Sequence, residues 1–220
     1  MGIRATEWPG VYTDGSWLLT RNLNPGVSVY GESLHVEGGV EFRRWDVNRS
    51  KLAAYLKCGG RVWPFGDPTS VLYLGAGNGT TVSHLSDVCR QGTITAIEIS
   101  PRAFRDLLQV ADVRSNVLPI LGDAAKPETY GARTTPVSVL YQDLAQREQA
   151  AIFRKNLPWL QTGGVGFFMI KARSEDVAAN PTDVYEAARK ELVAAGVRIL
   201  DRRILAPYQT DHAVIVVKKP

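Results

Sequence analysis

The stretch VLYLGAGNGTT, residues 71–81, decides the fold of this chain. It opens with an apolar run suited to a buried strand, which leads directly into a glycine-rich turn, and a helical pattern follows. The glycines at 75, 77 and 79 allow the backbone to approach a ligand closely, and the helix start offers free N–H groups. We therefore expect a ligand to bind at this turn.

Strands and helices alternate from this stretch to the C-terminus. Apolar strands are predicted to begin at Val71, Thr93, Val117, Val137 and Gly164, with helices over residues 81–89, 102–113, 147–156 and 182–195. This order predicts an α/β fold with a doubly wound, largely parallel sheet. Residues 197–205 and 213–217 are joined by a loop too short for a crossover helix, so the last strand is expected to be antiparallel. The pattern is typical of a Rossmann-like sheet.

The first fifty residues have a different pattern. Asp14-Gly15 and Glu37-Gly38-Gly39 are turn sequences between short β-favouring segments, and residues 27–30 alternate like a half-buried strand. We expect a small antiparallel β domain over residues 1–50 and a Rossmann-like domain over residues 51–220. A short helix capped by Ser50 should open the second domain.

Composition sets limits without naming a function. The chain has 220 residues, 45% of them hydrophobic, and a net charge of +4, which permits a polyanionic partner but does not require one. Cys58 and Cys89 form no CxxC motif, so a disulfide framework and a metal site are not expected. Neither a secretory signal nor a membrane-spanning segment is visible, and we expect a soluble, cytoplasmic protein.

Three acidic residues follow predicted strands: Glu98, Asp123 and Asp143. The carboxyl ends of parallel strands line one crevice, where open α/β sheets bind ligands. Glu98 can accept hydrogen bonds from the ribose hydroxyls of an adenosine, and Asp123 can accept one from the adenine amino group. A cleft lined by acids, without basic residues for phosphate, favours S-adenosylmethionine over NAD. The GxGxG spacing at residues 75–79, one residue shorter than the GxGxxG of NAD proteins, favours it too.

Several segments together resemble the fibrillarin family, the methyltransferase subunits of box C/D ribonucleoproteins. The resemblance covers nearly the whole chain, in the shorter archaeal form. It lies in residues 22–26, 29–32, 49–54, 72–76, 79–84, 170–172 and 211–214. Ile99 and Leu144 depart from the usual family residues but stay apolar.

The resemblance implies guide-directed 2′-O-methylation of ribose in rRNA, and possibly in tRNA, with S-adenosylmethionine as the methyl donor. The partners it implies are a Nop-type scaffold protein, a kink-turn-binding protein, a box C/D guide RNA and the rRNA substrate. Site and resemblance together predict these cofactor-binding residues: Gly75, Ala76, Gly77, Gly79, Thr80, Thr81, Glu98, Ile99, Asp123, Ala124, Asp143, Leu144, Ala145 and Gln146.

Four residues are candidates for catalysis: Lys51, Asp143, Lys171 and His212. A ribose hydroxyl is a poor nucleophile, and it needs a group that takes or polarises its proton. The set resembles the Lys-Asp-Lys-Glu tetrad of ribose 2′-O-methyltransferases, with histidine in place of glutamate. We expect Lys171 paired with Asp143 to be central and the other two to assist. Without the resemblance, a solvated lysine and a structural histidine are the simpler interpretations of Lys171 and His212.

Basic residues gather in two sets for which RNA contact is a hypothesis and solvated charge the alternative. The first set lies at the domain junction and could contact RNA backbone. In the second set, the helix over residues 147–155 could contact RNA or the scaffold protein. The sets are Arg43, Arg44, Arg49, Lys51, Lys57 and Arg61, and Arg102, Arg105, Arg147, Arg154 and Lys155. Rival functions are a small-molecule O-methyltransferase, a non-catalytic ribonucleoprotein scaffold component and an NAD oxidoreductase.

Overall fold

The structure, a computed structural model, describes residues 2–220 and contains two β-sheets. The first sheet is antiparallel, with strand order β1-β2-β3-β5-β4. The expected turns at Asp14-Gly15 and Gly38-Gly39 join β2 to β3 and β4 to β5. The five strands are β1 (Arg4–Ala5), β2 (Val11–Thr13), β3 (Leu18–Arg21), β4 (Leu34–Glu37) and β5 (Val40–Trp45).

The strand predicted for residues 27–30 is wrong, because this segment is a loop. The Glu32 carboxylate accepts hydrogen bonds from the backbone N–H groups of Val29 and Tyr30. The Glu32 side chain thus accepts the backbone N–H groups that a strand would donate to a neighbouring strand. The hydrophobic alternation of the segment therefore does not decide its conformation.

The second sheet has the order β11-β12-β10-β9-β6-β7-β8. All neighbouring pairs from β10 to β8 are parallel, whereas β12 runs antiparallel to both β10 and β11. The predicted Rossmann-like sheet with an antiparallel last strand is confirmed. Its strands are β6 (Val71–Leu74), β7 (Ile94–Glu98), β8 (Val117–Leu121), β9 (Val137–Asp143), β10 (Leu160–Lys171), β11 (Arg198–Ile204) and β12 (His212–Lys218).

Helices lie between the strands as the sequence predicts. The Ser50 and Asn180 side chains cap the first and last of them by accepting backbone N–H groups. The fourth helix begins two residues later than predicted, since Glu148 adopts a left-handed φ of 58°. None of the helices in residues 2–220 is long and apolar enough to cross a membrane. The helices are α1 (Lys51–Lys57), α2 (Thr80–Val88), α3 (Pro101–Asp112), α4 (Gln149–Asn156), α5 (Ala172–Glu175) and α6 (Pro181–Ala194).

Apolar layers cover both faces of the second sheet. Neighbouring residues of a strand point to opposite faces, so Phe167 lies in one layer and Phe168 in the other. The layer that holds Phe167 also contains Trp45 of the first sheet and Val82 of α2. One continuous apolar core therefore joins the first sheet to the α1–α2 side of the second.

A buried ionic network lies where the first sheet meets α2. Arg43 of β5 bonds Glu32 and Asp87, and Arg114 bonds the other oxygen of Asp87. The side chains of these residues are at most 1% exposed. The hypothesis of RNA contact is therefore wrong for Arg43, which forms part of the junction. We call Glu32, Arg43, Asp87 and Arg114 the junction network.

His84 of α2 lies beside the junction network. Its ring stacks on Trp45, with ring centroids 5.0 Å apart, and its nitrogens lie 2.8 Å from the hydroxyls of Thr20 and Tyr30. Burial, together with the positive charges of Arg43 and Arg114, lowers the pKa of His84 well below its usual value. The histidine is neutral and structural.

Candidate active site

A cavity of about 300 Å³ opens at the carboxyl ends of strands β9, β6, β7 and β8. This is the edge at which the three acids were expected to meet. The lining consists of glycines, apolar residues, two carboxylates and one amide. These residues are Gly75, Gly77, Ile97, Glu98, Ile99, Gly122, Ala124, Asp143, Leu144, Ala145 and Gln146.

The glycine turn lies tightly against neighbouring backbone. A Cβ atom at Gly75 would collide with the carbonyl oxygen of Asp143, and Gly75 has a left-handed φ of 82°. The backbone N–H groups of Gly75 and Ala76 both donate to the carbonyl of Ile97. Glycine is thus required at position 75, where the chain leaves β6 and passes β9.

Glu98 ends β7 and is only 6% exposed. One carboxylate oxygen accepts the N–H of Gly77 and the other accepts the N–H of Ser100, each at 2.7 Å. Each oxygen can accept a second hydrogen bond, so the side chain can hold the glycine turn and still bind two hydroxyl groups. The position of Glu98 in the cavity lining fits the predicted contact with the ribose hydroxyls of an adenosine.

Five residues predicted to bind the cofactor lie outside this lining: Ala76, Gly79, Thr80, Thr81 and Asp123. Thr81 is buried and its hydroxyl lies 3.0 Å from that of Ser50, while one oxygen of Asp123 accepts the N–H of Ala125. Their roles stay predictions. Conversely, Gly122 and Ile97 line the cavity without having been predicted. Gly122 directly precedes Asp123 at the end of β8, so its strand-end position could have pointed to it.

The predicted pairing of Asp143 with Lys171 is wrong: Asp143 pairs with Lys51. The Lys51 Nζ lies 2.8 and 3.0 Å from the two carboxylate oxygens, and the two side chains are 18% and 20% exposed. The residue of β10 that is paired with Asp143 is Met169. Lys171 lies two residues farther along, which is about 6.6 Å in a strand. Lys51, at the first turn of α1, reaches Asp143 instead.

Lys171 and His212 are paired across strands β10 and β12. The His212 Nδ1 lies 2.6 Å from the carbonyl of Thr210, which can only accept, so Nδ1 carries the proton and Nε2 is left as an acceptor. Burial, with the positive charges of Lys51 and Lys171, lowers the pKa of His212. The hydrogen bond to the Thr210 carbonyl and the negative charge of Asp143 act in the opposite direction. The fold thus brings the other three candidate residues within electrostatic reach of His212.

Comparison with known proteins identifies the family of this chain. The fibrillarin family profile matches residues 4–220. A fibrillarin-like rRNA/tRNA 2′-O-methyltransferase of Thermococcus sibiricus is 45% identical, over 100% of both chains. An Aeropyrum pernix fibrillarin with natively bound S-adenosyl-L-methionine aligns with a TM-score of 0.91 at 43% identity, over 99% of this chain and 98% of that one. A fibrillarin/Nop5p complex aligns with a TM-score of 0.89 at 38% identity, over 98% of this chain and 100% of that one. This chain therefore belongs to the fibrillarin family.

Proposed function

We propose that this chain transfers a methyl group from S-adenosylmethionine to the ribose 2′-hydroxyl of rRNA and tRNA. The observation that carries the proposal is that the Lys51–Asp143 pair lies at the rim of the cavity that Glu98 lines. Asp143 belongs to both, so a donor in the cavity and an acceptor beside Lys51 would meet at this residue. The substrate named for the Thermococcus sibiricus relative supports the choice of RNA.

The cavity suits S-adenosylmethionine. Bound there, the cofactor supplies an electrophilic methyl group on a cationic sulfonium. The lining offers carboxylates at Glu98 and Asp143 and glycine backbone at 75 and 77, a set that suits a cation and a ribose better than a pyrophosphate. The Aeropyrum pernix structure supports this cofactor.

The chain's own residues prepare the acceptor. Asp143 holds the Lys51 ammonium at the rim, and no ion pair of Lys171 occurs within residues 2–220. The Lys171 ammonium can therefore stabilise the negative charge that develops on the ribose oxygen. Neutral His212, with Nε2 free to accept, can take up a proton directly or through water. Alignment of hydroxyl and methyl supplies much of the rest of the rate.

We further propose that the chain acts as the catalytic subunit of a box C/D ribonucleoprotein in the cytoplasm. The fibrillarin/Nop5p complex supports a Nop-type scaffold protein as one partner. A kink-turn-binding protein and a guide RNA complete the assembly, and the guide selects the target nucleotide by base pairing. The basic residues of the two sets that are exposed are available for RNA backbone or for the scaffold protein. They are Arg49, Lys57, Arg61, Arg102, Arg105, Arg147, Arg154 and Lys155.

Reconstitution tests the proposal directly. The chain is assembled with a Nop-type protein, a kink-turn-binding protein and a box C/D guide, and the position of labelled methyl in a target RNA is mapped. Methyl on the ribose of the guide-selected nucleotide supports the proposal. Guide-independent transfer to a small hydroxylated acceptor, with no transfer to RNA, would identify a small-molecule O-methyltransferase. A complex that assembles and binds the cofactor but transfers no methyl would identify a scaffold component.

A further inference from the structure

A single buried side chain holds the backbone of Lys171. Gln149, the first residue of α4, is 0% exposed. Its Nε2 donates to the Lys171 carbonyl at 3.0 Å, and its Oε1 accepts the Lys171 N–H, also at 3.0 Å. The two groups of one amide thus bind both polar backbone groups of one residue.

The end of strand β9 explains why this contact is needed. The last pair between β9 and β10 is Asp143 with Met169, and β9 then leaves the sheet. Lys171 keeps its partner His212 on the β12 side but has lost a backbone partner on the β9 side. The primary amide of Gln149 offers a donor and an acceptor like those of a peptide group. It continues the hydrogen-bond ladder to Lys171 after β9 has ended.

Gln149 is itself fixed from two directions. Its carbonyl accepts the side-chain amide of Gln142, a fully buried residue of β9, at 2.7 Å. The backbone N–H groups of Glu148 and Gln149 donate to the two carboxylate oxygens of Glu175, at 2.9 and 2.6 Å. Glu175 ends α5, which begins directly after Lys171. The start of α4 and the segment that follows Lys171 therefore hold each other.

We infer that Gln149 is a positioning residue, which sets the place of the Lys171 ammonium by holding the Lys171 backbone. The inference rests on the proposed function, in which that ammonium faces the ribose oxygen. Both hydrogen bonds between Gln149 and Lys171 go to the Lys171 main chain. Loss of these two hydrogen bonds should let the end of β10 shift. Misplacement of the Lys171 ammonium by about 1 Å can lower the rate on the order of a hundredfold.

Substitution by leucine keeps the approximate size of the side chain and removes both hydrogen bonds. In the assembled complex we expect Gln149→Leu to lower kcat by roughly ten- to a hundredfold while the KM for S-adenosylmethionine stays unchanged, because Gln149 does not line the cofactor cavity. The matched control is Gln161→Leu, which removes the glutamine hydrogen bond to the Pro136 carbonyl far from the site and should leave kcat unchanged.

Substitution by glutamate gives a readout that a merely structural role would not move. In Gln149→Glu an ionised carboxylate would face the Lys171 carbonyl without a proton to donate. A protonated carboxyl restores the donor, and burial raises the pKa of such a group. The ratio of variant to wild-type kcat should therefore increase as the pH is lowered from about 8 to about 6.

These results separate the inference from the function on which it rests. An assembled wild type that transfers no methyl to RNA contradicts the proposed function. An active wild type with a Gln149→Leu variant of normal kcat overturns the inference. A Gln149→Glu ratio that does not change with pH also overturns it, and this arm decides the matter if the leucine variant does not fold.

Discussion

The chain contains two clusters of opposite charges that look alike in sequence and differ in the structure. In the junction network, Arg43, Asp87 and their partners are 0–1% exposed, and each carboxylate and guanidinium has at least two hydrogen bonds. At the rim, Lys51 and Asp143 are about one-fifth exposed and adjoin a cavity. Charges enclosed by protein hold the molecule together, while charges that keep an open side can meet a ligand. Substitutions should therefore affect stability in one cluster and methyl transfer in the other.

The largest effect is expected from Asp87→Ala. This change leaves Arg43 and Arg114 buried without the carboxylate they share, and removal of one partner of a buried pair costs about 3–5 kcal/mol of unfolding free energy. Denaturant unfolding followed by circular dichroism measures it. A loss below about 1 kcal/mol would show that the junction network does not depend on its shared acid.

Asp143→Asn should impair methyl transfer strongly and change the unfolding free energy little. The side chain keeps its shape but no longer holds the Lys51 ammonium by charge, so we expect methyl transfer to decrease on the order of a hundredfold. Its unfolding free energy should change by about 1 kcal/mol or less, because the pair is partly exposed. Single-turnover methylation and denaturant unfolding of the same preparation check both parts. A variant that is strongly destabilised but catalytically normal would reverse the comparison.

A smaller effect is expected from the dependence of the unfolding free energy on pH. The pKa of His84 is well below 6.5 in the folded state and near 6.5 in the unfolded state, so below pH 6.5 only the unfolded state takes up the proton. The unfolding free energy should therefore decrease as the pH falls below 6.5, by up to about 1.4 kcal/mol per pH unit from this residue. Denaturant titrations from pH 7 to pH 5 measure the slope. His84→Gln should show a shallower one, and an equal slope would refute the assignment.

The smallest effect is expected at an exposed ion pair on α6. Arg189 and Glu186 are 2.6 Å apart and one turn from each other, and their side chains are 30% and 42% exposed, more than those of Lys51 and Asp143. Exposed pairs contribute little, because water and salt screen them. We expect Arg189→Ala to leave the midpoint of thermal unfolding unchanged within error. A clear decrease would mean that enclosure is not what distinguishes the two clusters.

The sequence predicted the sheet and the edge at which the site lies. Apolar runs that end in Gly75, Glu98 and Asp143 settle both, because strand ends of a parallel sheet meet at one edge whatever the details of packing. It did not predict which lysine pairs with Asp143. That depends on register: Asp143 lies beside Met169, and Lys51 approaches from a helix ninety-two residues earlier.

Other features depended on contacts that no local pattern carries. Arg43 looked like its exposed neighbours, and only the partners Glu32 and Asp87, on other elements, place it inside the protein. Gln149 had no motif at all, since its role follows from where β9 ends. Residues 27–30 alternate like a strand, yet the Glu32 side chain holds them as a loop.

The role proposed for Lys171 is tested most directly by the single-turnover rate of guide-directed methylation by Lys171→Ala in the assembled complex, at saturating S-adenosylmethionine. If the Lys171 ammonium stabilises charge on the ribose oxygen, the rate should fall on the order of a hundred- to a thousandfold. A rate equal to that of the wild type would contradict the claim that methyl transfer takes place beside this residue.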